Sequence, residues 1–250
     1  MNNPRYDTLT TSNHFDSIAE VFNRIWYFSD DYKDFVINHI HRDLSLSAED
    51  ILVDLGGGTG TFTSRIQDES GVTKAYCVEP SVAMCDEAAK LKNITALCMD
   101  AHAFISTKTP FSKLLLKEVI HHIDEREHFW QAVYTRLPKK GKLLIITRPQ
   151  HVAFPLFASA KTAFAHNQPP YELFESQLKA CGFKVTTLKR SHSFTLRKEN
   201  WYEMLRHRFM SDLSIFSDEE IEEGIREIEE VYTEESIDII DNLIFITATK

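Results

Sequence analysis

Four of the eight glycines in the chain fall within five positions, Gly56, Gly57, Gly58 and Gly60, directly after the apolar run ILVDL. Glycine is needed where a backbone turns through positive φ, or where a ligand must meet the main chain with no Cβ in the way. A loop of this composition after a buried strand and before a helix opening at Thr61 points to a nucleotide-like ligand. The spacing from Asp54 is D-x-G-x-G-x-G, and no G-x-G-x-x-G register is free because Thr61 stands three positions beyond Gly58. This disfavours a dinucleotide, whose pyrophosphate needs that fingerprint. Later apolar runs also end in polar residues: Glu79 before Pro80, Asp100 before Ala101, and Lys117-Glu118 ahead of His121-His122. Either histidine is a candidate general base for a hydroxyl or protonated amine, or else packs or caps the following helix. The pair has no further ligands at metal spacing, so no metal site is expected.

The elements that must position these residues follow from periodicity. Residues 13–43 read as helix, with Phe15, Ile18, Ala19, Phe22, Ile25 and Trp26 at helical spacing and a break at Ser29-Asp30-Asp31. Short strands are then expected at 51–56, 75–80, 95–100, 113–118 and 141–147, alternating with helices, one of them the SVAMCDEAAKL segment. This pattern argues for a parallel sheet covered on both faces, with ligands at the carboxyl ends of its strands. The last third reads as a helix over 171–183, a long strand from Lys184, helices in NWYEMLRHRFMSDL and SDEEIEEGIREIEEVY, and a final strand over 242–250. In the acidic helix Ile221, Ile225 and Ile228 form a buried stripe, and its charge run is a solvated face.

With the glycine motif preceded by Asp54, the chain resembles the class I S-adenosylmethionine (SAM) dependent methyltransferases, whose first motif is an acidic residue followed by G-x-G-x-G. The resemblance covers residues 49–150 well, through CVEPS, CMDAHAF, LLLKEVIHHID and LPKKGKLLII. It departs at Phe111-Ser112-Lys113, where the family often has Phe-Asp. It implies an α/β, Rossmann-like fold: a seven-stranded, mostly parallel sheet with helices on both faces and an antiparallel last strand. Residues 1–48 would form an N-terminal helical lid on a 49–250 domain, which carries an acceptor-side helical insertion around 197–235. It also implies SAM as cofactor and S-adenosylhomocysteine as product. The cofactor residues would be Asp54, Gly56, Gly57, Gly58, Gly60, Glu79, Pro80, Asp100, Ala101, Lys117 and Glu118. Glu79 resembles the carboxylate that accepts from both ribose hydroxyls, a task suited to an acceptor-only group. Asp100 with Ala101 resembles the adenine contact. Phe22, Trp26 and Tyr27 of the lid, with Arg148 and Trp201, would shape the acceptor pocket, and aromatic faces suit a sulfonium. Arg24 is a candidate for the methionine carboxylate.

Bulk properties narrow the partners. The net charge of -9 opposes phosphate backbones, so a small-molecule acceptor is expected rather than nucleic acid. The N-terminus lacks a signal-peptide pattern and no apolar run approaches the roughly 20 residues that span a bilayer. Cys77, Cys85, Cys98 and Cys181 form no CxxC pair and read as reduced core residues, which fits a cytoplasmic protein. The same lack of clustered cysteines argues against a thiophilic substrate such as arsenic. A protein or RNA methyltransferase of the same fold, and a non-catalytic SAM-binding partner protein, remain alternatives, and the oligomeric state is open.

Overall fold

The computed structural model describes residues 8–250, with side chains from residue 13 on. The first seven residues of the expected lid, which also open the stretch read for a signal peptide, lie outside the described residues.

The apolar runs form β1 (Ile51–Leu55), β2 (Lys74–Glu79), β3 (Thr95–Cys98), β4 (Lys113–Lys117) and β5 (Lys142–Thr147), followed by β6 (Lys184–Arg197) and β7 (Ser236–Thr249). They make one sheet in the order β3-β2-β1-β4-β5-β7-β6. The first five strands are parallel, and β7 runs antiparallel to both β5 and β6. The chain winds outward from β1 to β3, then returns to place β4 on the other side of β1. That reversal opens a crevice at the strands' carboxyl ends.

Alternate residues feed two cores, as period-two side chains require. Leu52, Leu115, Leu144 and Phe245 pack under α1 (Thr8–Ile25), α2 (Asp30–Leu44) and α3 (Thr61–Ser70). The opposite face buries Val53, Leu114, Leu116, Leu143 and Ile145. It packs against α5 (Ala101–Ser106), α6 (Arg126–Arg136) and α8 (Tyr171–Ala180), while α4 (Val82–Ala89) flanks β2 and β3. The helices α6 and α7 (Ala158–Asn167) add to those expected from periodicity. Between β6 and β7 lie α9 (Lys198–Arg206) and α10 (Asp218–Val231). Ser217 and Glu220 close a capping box on α10, and Ile221, Ile225 and Ile228 form its buried stripe.

Three expectations are corrected. The helix foreseen over 200–213 ends at Arg206, because Arg208 takes a positive φ of 51° that no α-helix continues. Residues 211–213 then form a separate 3₁₀ turn. The final strand begins at Ser236 rather than 242, its first half pairing with β6 beyond the end of β5. Finally, Cys85 and Cys98 are joined in a disulfide, because α4 packs back on β3 and brings their Cα atoms to 5.6 Å. Cys77 and Cys181 are free thiols. Among the described residues no helix is long and apolar enough to cross a membrane.

Candidate active site

A cavity of about 510 Å³ occupies the crevice, and α1 closes it from above. Its floor is the glycine loop. Gly58 has a φ of 57°, and a Cβ built there would meet no protein atom within 4 Å, so the bare backbone faces cavity space. Its N–H donates to Glu79 Oε2 at 2.9 Å. Gly56 and Gly57 also line the cavity. Gly60 does not: a Cβ there would strike Ile94 Cδ1 at 2.8 Å, so this glycine lets α3 start close against its neighbours.

Glu79 ends β2 in the cavity wall beside Pro80 and is only 6% exposed. Its other oxygen accepts from the Ser81 N–H at 2.9 Å. Burial pushes its carboxyl up to about 7, against these two hydrogen bonds. Asp54, at the end of β1, accepts from Thr63 Oγ1 at 2.6 Å, and burial pushes it up to about 6. Each Glu79 oxygen thus accepts one hydrogen bond and has a lone pair left for another donor. Asp100 and Ala101 stand outside the cavity wall. Asp100 is exposed and caps α5, its Oδ1 accepting from the Ala103 N–H at 2.8 Å.

At the end of β4 two side chains that would ordinarily alternate both reach the cavity. Glu118 has a φ of 58°, a conformation that is costly for a residue with a Cβ and that redirects its side chain. Its carboxylate pairs with Arg148, while its Oε1 has no partner among the described residues. Arg148 also binds Asp241 in bidentate fashion, Nε to Oδ1 and Nη2 to Oδ2 both at 2.8 Å. Asp241 in turn accepts from Tyr32 Oη at 2.7 Å. Arg148 lines the cavity as expected of an acceptor residue, yet its guanidinium is already committed on both sides. It braces Glu118. Lys117 has no such partner among the described residues, since Glu118 and Asp241 both pair with Arg148. Its ammonium sits over the rings of Phe62 at 4.5 Å and Trp26 at 5.6 Å.

His121 and His122 follow in the 3₁₀ turn Ile120–His122 and both line the cavity, ring centroids 4.0 Å apart. His122 Nε2 lies 3.5 Å from Ser211 Oγ, and His121 Nδ1 has no partner among the described residues. Enclosure lowers both, His121 well below its usual value and His122 to about 4, so both rings are neutral near pH 7.

Of the residues expected in the lid and acceptor pocket, Phe15, Phe22 and Trp26 line the cavity. Tyr27 and Trp201 do not. The Tyr27 hydroxyl donates to Glu203 at 2.6 Å, and Trp201 is wholly buried, its Nε1 donating to Pro155 O at 2.9 Å. Arg24 is exposed and outside the cavity wall. Several participants carried no sequence signal. Asp16 accepts from Ser81 Oγ at 2.6 Å and the Ala83 N–H at 3.0 Å, and Asn23 accepts from Thr59 Oγ1 at 2.7 Å. These contacts latch α1 onto the loops after β2 and β1. Phe164, Phe209, Met210, Ser211 and Asp212 add to the wall, as do Lys33, Met84 and Val119. Among the described residues there is no group of three or more side chains suited to a metal ion.

Residues 31–224 match a family model described as a methyltransferase domain. An uncharacterized methyltransferase of Staphylococcus carnosus (strain TM300) is 28% identical over 123 residues, covering 47% of this chain and 58% of that relative. The chain thus spans less than two thirds of the relative's length. Among solved structures, the cyclase SpnF superposes with a TM-score of 0.66 at 14% identity, covering 98% of this chain and 96% of its own. The mycolic acid cyclopropane synthase CmaA1, crystallised with SAH and CTAB, gives 0.63 at 15% identity, covering 96% and 98%. At such identities the structural likeness speaks for the fold, a methyltransferase-type Rossmann-like sheet. With the family model spanning most of its length, the chain belongs to the methyltransferase family.

Proposed function

We propose that the protein is a SAM-dependent methyltransferase acting on a small-molecule nucleophile. The observation that carries this reading is the bare Gly58 backbone facing open cavity beside the buried carboxylate of Glu79, whose two oxygens can each accept one more hydrogen bond. Such a cradle fits a ribose lying against main chain. Glu79 would hold the ribose hydroxyls by charge-assisted hydrogen bonds worth roughly 1.5–3 kcal/mol each. The unpartnered Glu118 Oε1 and the unpaired Lys117 ammonium match the α-ammonium and α-carboxylate of a methionine moiety. Asp100, whose Oδ1 caps α5, would meet the adenine with its other oxygen. When bound, SAM supplies an activated methyl on a sulfonium, and transfer breaks that C–S bond as the acceptor–methyl bond forms, its electron pair returning to sulfur.

The chain's own task is alignment and exclusion of water. The α1 latches and the rings of Phe22 and Trp26 close the cavity, and the neutral His121 or His122 would take a proton from the acceptor. The net charge of -9 supports a small acceptor over nucleic acid. Calorimetry with S-adenosylhomocysteine and with NADH tests the cofactor, and labelled SAM with a panel of amines, phenols, thiols and carboxylates tests the reaction. Binding of NADH in place of S-adenosylhomocysteine would overturn the reading. Binding of S-adenosylhomocysteine with no label transferred would favour a non-catalytic SAM-binding protein.

A further inference from the structure

The acceptor wall holds a carboxylate that has no cation paired with it among the described residues. Asp212 lines the cavity and is 7% exposed. Among the described residues its side chain has one hydrogen-bond partner, the neutral amide of Asn167, donating to Oδ1 at 2.8 Å. Arg208, four residues earlier, is committed to Asp218 and to the Phe216 carbonyl. His122, whose ring reaches Ser211 next door, is held neutral. Burying a carboxylate without a counter-charge is costly, so such a site favours either its own protonation or an incoming cation. Around it stand Phe164, Phe209 and Met210, and farther along the cavity Phe22 and Trp26. Aromatic faces attract an ammonium and repel an anion, and they also receive an apolar body. Of the cavity's cations Arg148 is already paired twice, Lys33 pairs with Asp30, and Lys117 is the group assigned to the methionine carboxylate, so none is left for an anionic acceptor that meets Asp212.

Resting on the methyltransferase reading, we propose that the acceptor is a primary or secondary amine with an apolar, preferably aromatic, body, bound as its ammonium form by Asp212. For this acceptor the proton goes to Asp212 rather than to a histidine: before the nitrogen lone pair can act, the ammonium gives its proton to the Asp212 carboxylate. Burial of that carboxyl raises its proton affinity in the required direction.

Three probes of one shape test the claim: phenethylamine, 2-phenylethanol and 3-phenylpropionate, each titrated into protein preloaded with S-adenosylhomocysteine. Saturation-transfer NMR and calorimetry read their binding. The wild type should bind the amine at least about tenfold more tightly than the alcohol, and the carboxylate more weakly still, a preference of about 1.4 kcal/mol. Asp212→Asn should bring amine and alcohol to equal affinity while S-adenosylhomocysteine binds as before. The proposal is overturned if the alcohol or carboxylate binds as tightly as the amine, if none of the three binds, or if Asp212→Asn keeps the preference. Should that variant not fold, the wild-type series decides alone. Failure of S-adenosylhomocysteine to bind is a separate result, which removes the methyltransferase reading itself.

Discussion

The wall made by β1, β2 and the glycine loop encloses the same cavity as the wall made by residues 209–212, yet the two are assembled by different means. On the cofactor side each group stands at a strand's carboxyl end, where β1 and β2 run side by side and the Gly58 N–H donates to the Glu79 carboxylate. The acceptor side is gathered from α1, α7, the turn after β4 and a broken helix, pieces far apart in the chain. The first construction tolerates little change and suits an invariant ligand. The second is set by side-chain packing and can be reshaped without disturbing the sheet, which suits a wall that selects the acceptor.

This contrast predicts that the largest effect on the cofactor comes from the loop. Gly58→Val places a branched side chain in the cavity and strains a positive φ, so S-adenosylhomocysteine binding should be lost, by at least about a hundredfold, in calorimetry. A folded Gly58→Val protein with wild-type affinity would mean that no ligand lies against that backbone.

Histidine variants should divide the two walls. Replacing the responsible member of His121 and His122 with alanine should lower turnover by roughly 10²–10⁴ if it is the base, with cofactor affinity nearly unchanged. The acidic limb of the rate profile should vanish with it. Burial also links the pair to stability. Their folded values lie below the unfolded 6.5, so the unfolded chain gains protons first as pH falls. The stability they contribute is therefore complete above pH 6.5 and is lost as pH drops toward about 4. Unfolding measured across that window should flatten in the double alanine variant. If both single variants keep wild-type turnover, the pair is structural and the acceptor wall works by alignment.

Glu79 offers a smaller effect with a distinctive pH signature. Glu79→Ala should weaken S-adenosylhomocysteine by about tenfold or more. In the ligand-free protein the carboxyl holds its proton up to about 7, while the ribose hydroxyls need the carboxylate. Affinity should thus rise with pH until about 7 and then level, and Glu79→Gln should remove that rise. In the free protein the sign for stability is opposite to that of the histidines: the folded state binds the extra proton between 4.5 and about 7, so stability falls as pH rises through that window. A pH-independent wild-type affinity would place the ribose elsewhere.

The smallest effect is expected at Asp100, where capping and cofactor contact can be separated. Asp100→Asn keeps an N-cap of similar quality but removes the charge, so a few-fold loss of S-adenosylhomocysteine affinity at unchanged melting temperature would mark an adenine contact. An unchanged affinity would leave it a cap alone.

The β1 loop was readable because glycine is so restrictive a choice: the cluster at 56–60 has few uses other than backbone approach to a ligand. Even there Gly60 turned out to serve helix packing, which depends on Ile94 and Ala88 in other elements. Trp201 looked like a pocket residue as part of an aromatic helix, but which face of α9 meets the cavity is decided by its neighbours, and Trp201 meets Pro155 and Phe154. Asp212 gave no signal at all, because an acid in a short polar stretch is usually a solvated one. The Cys85–Cys98 pair was missed for the same reason, its closeness arising from the packing of α4 on β3.

The sequence by itself determined the alternation of strands and helices, the position of the glycine loop and the polar residues that follow each strand. Those are local properties, set by hydrophobic period and backbone conformation within a few residues. Tertiary structure alone decided that Arg148 is spent on Glu118 and Asp241, that α1 latches through Asp16 and Asn23, and that Asp212 is enclosed with no cation paired with it among the described residues. Charge pairing and burial depend on which distant side chains arrive within a few ångströms, and only the folded chain brings Tyr32, Arg148 and Asp241 together.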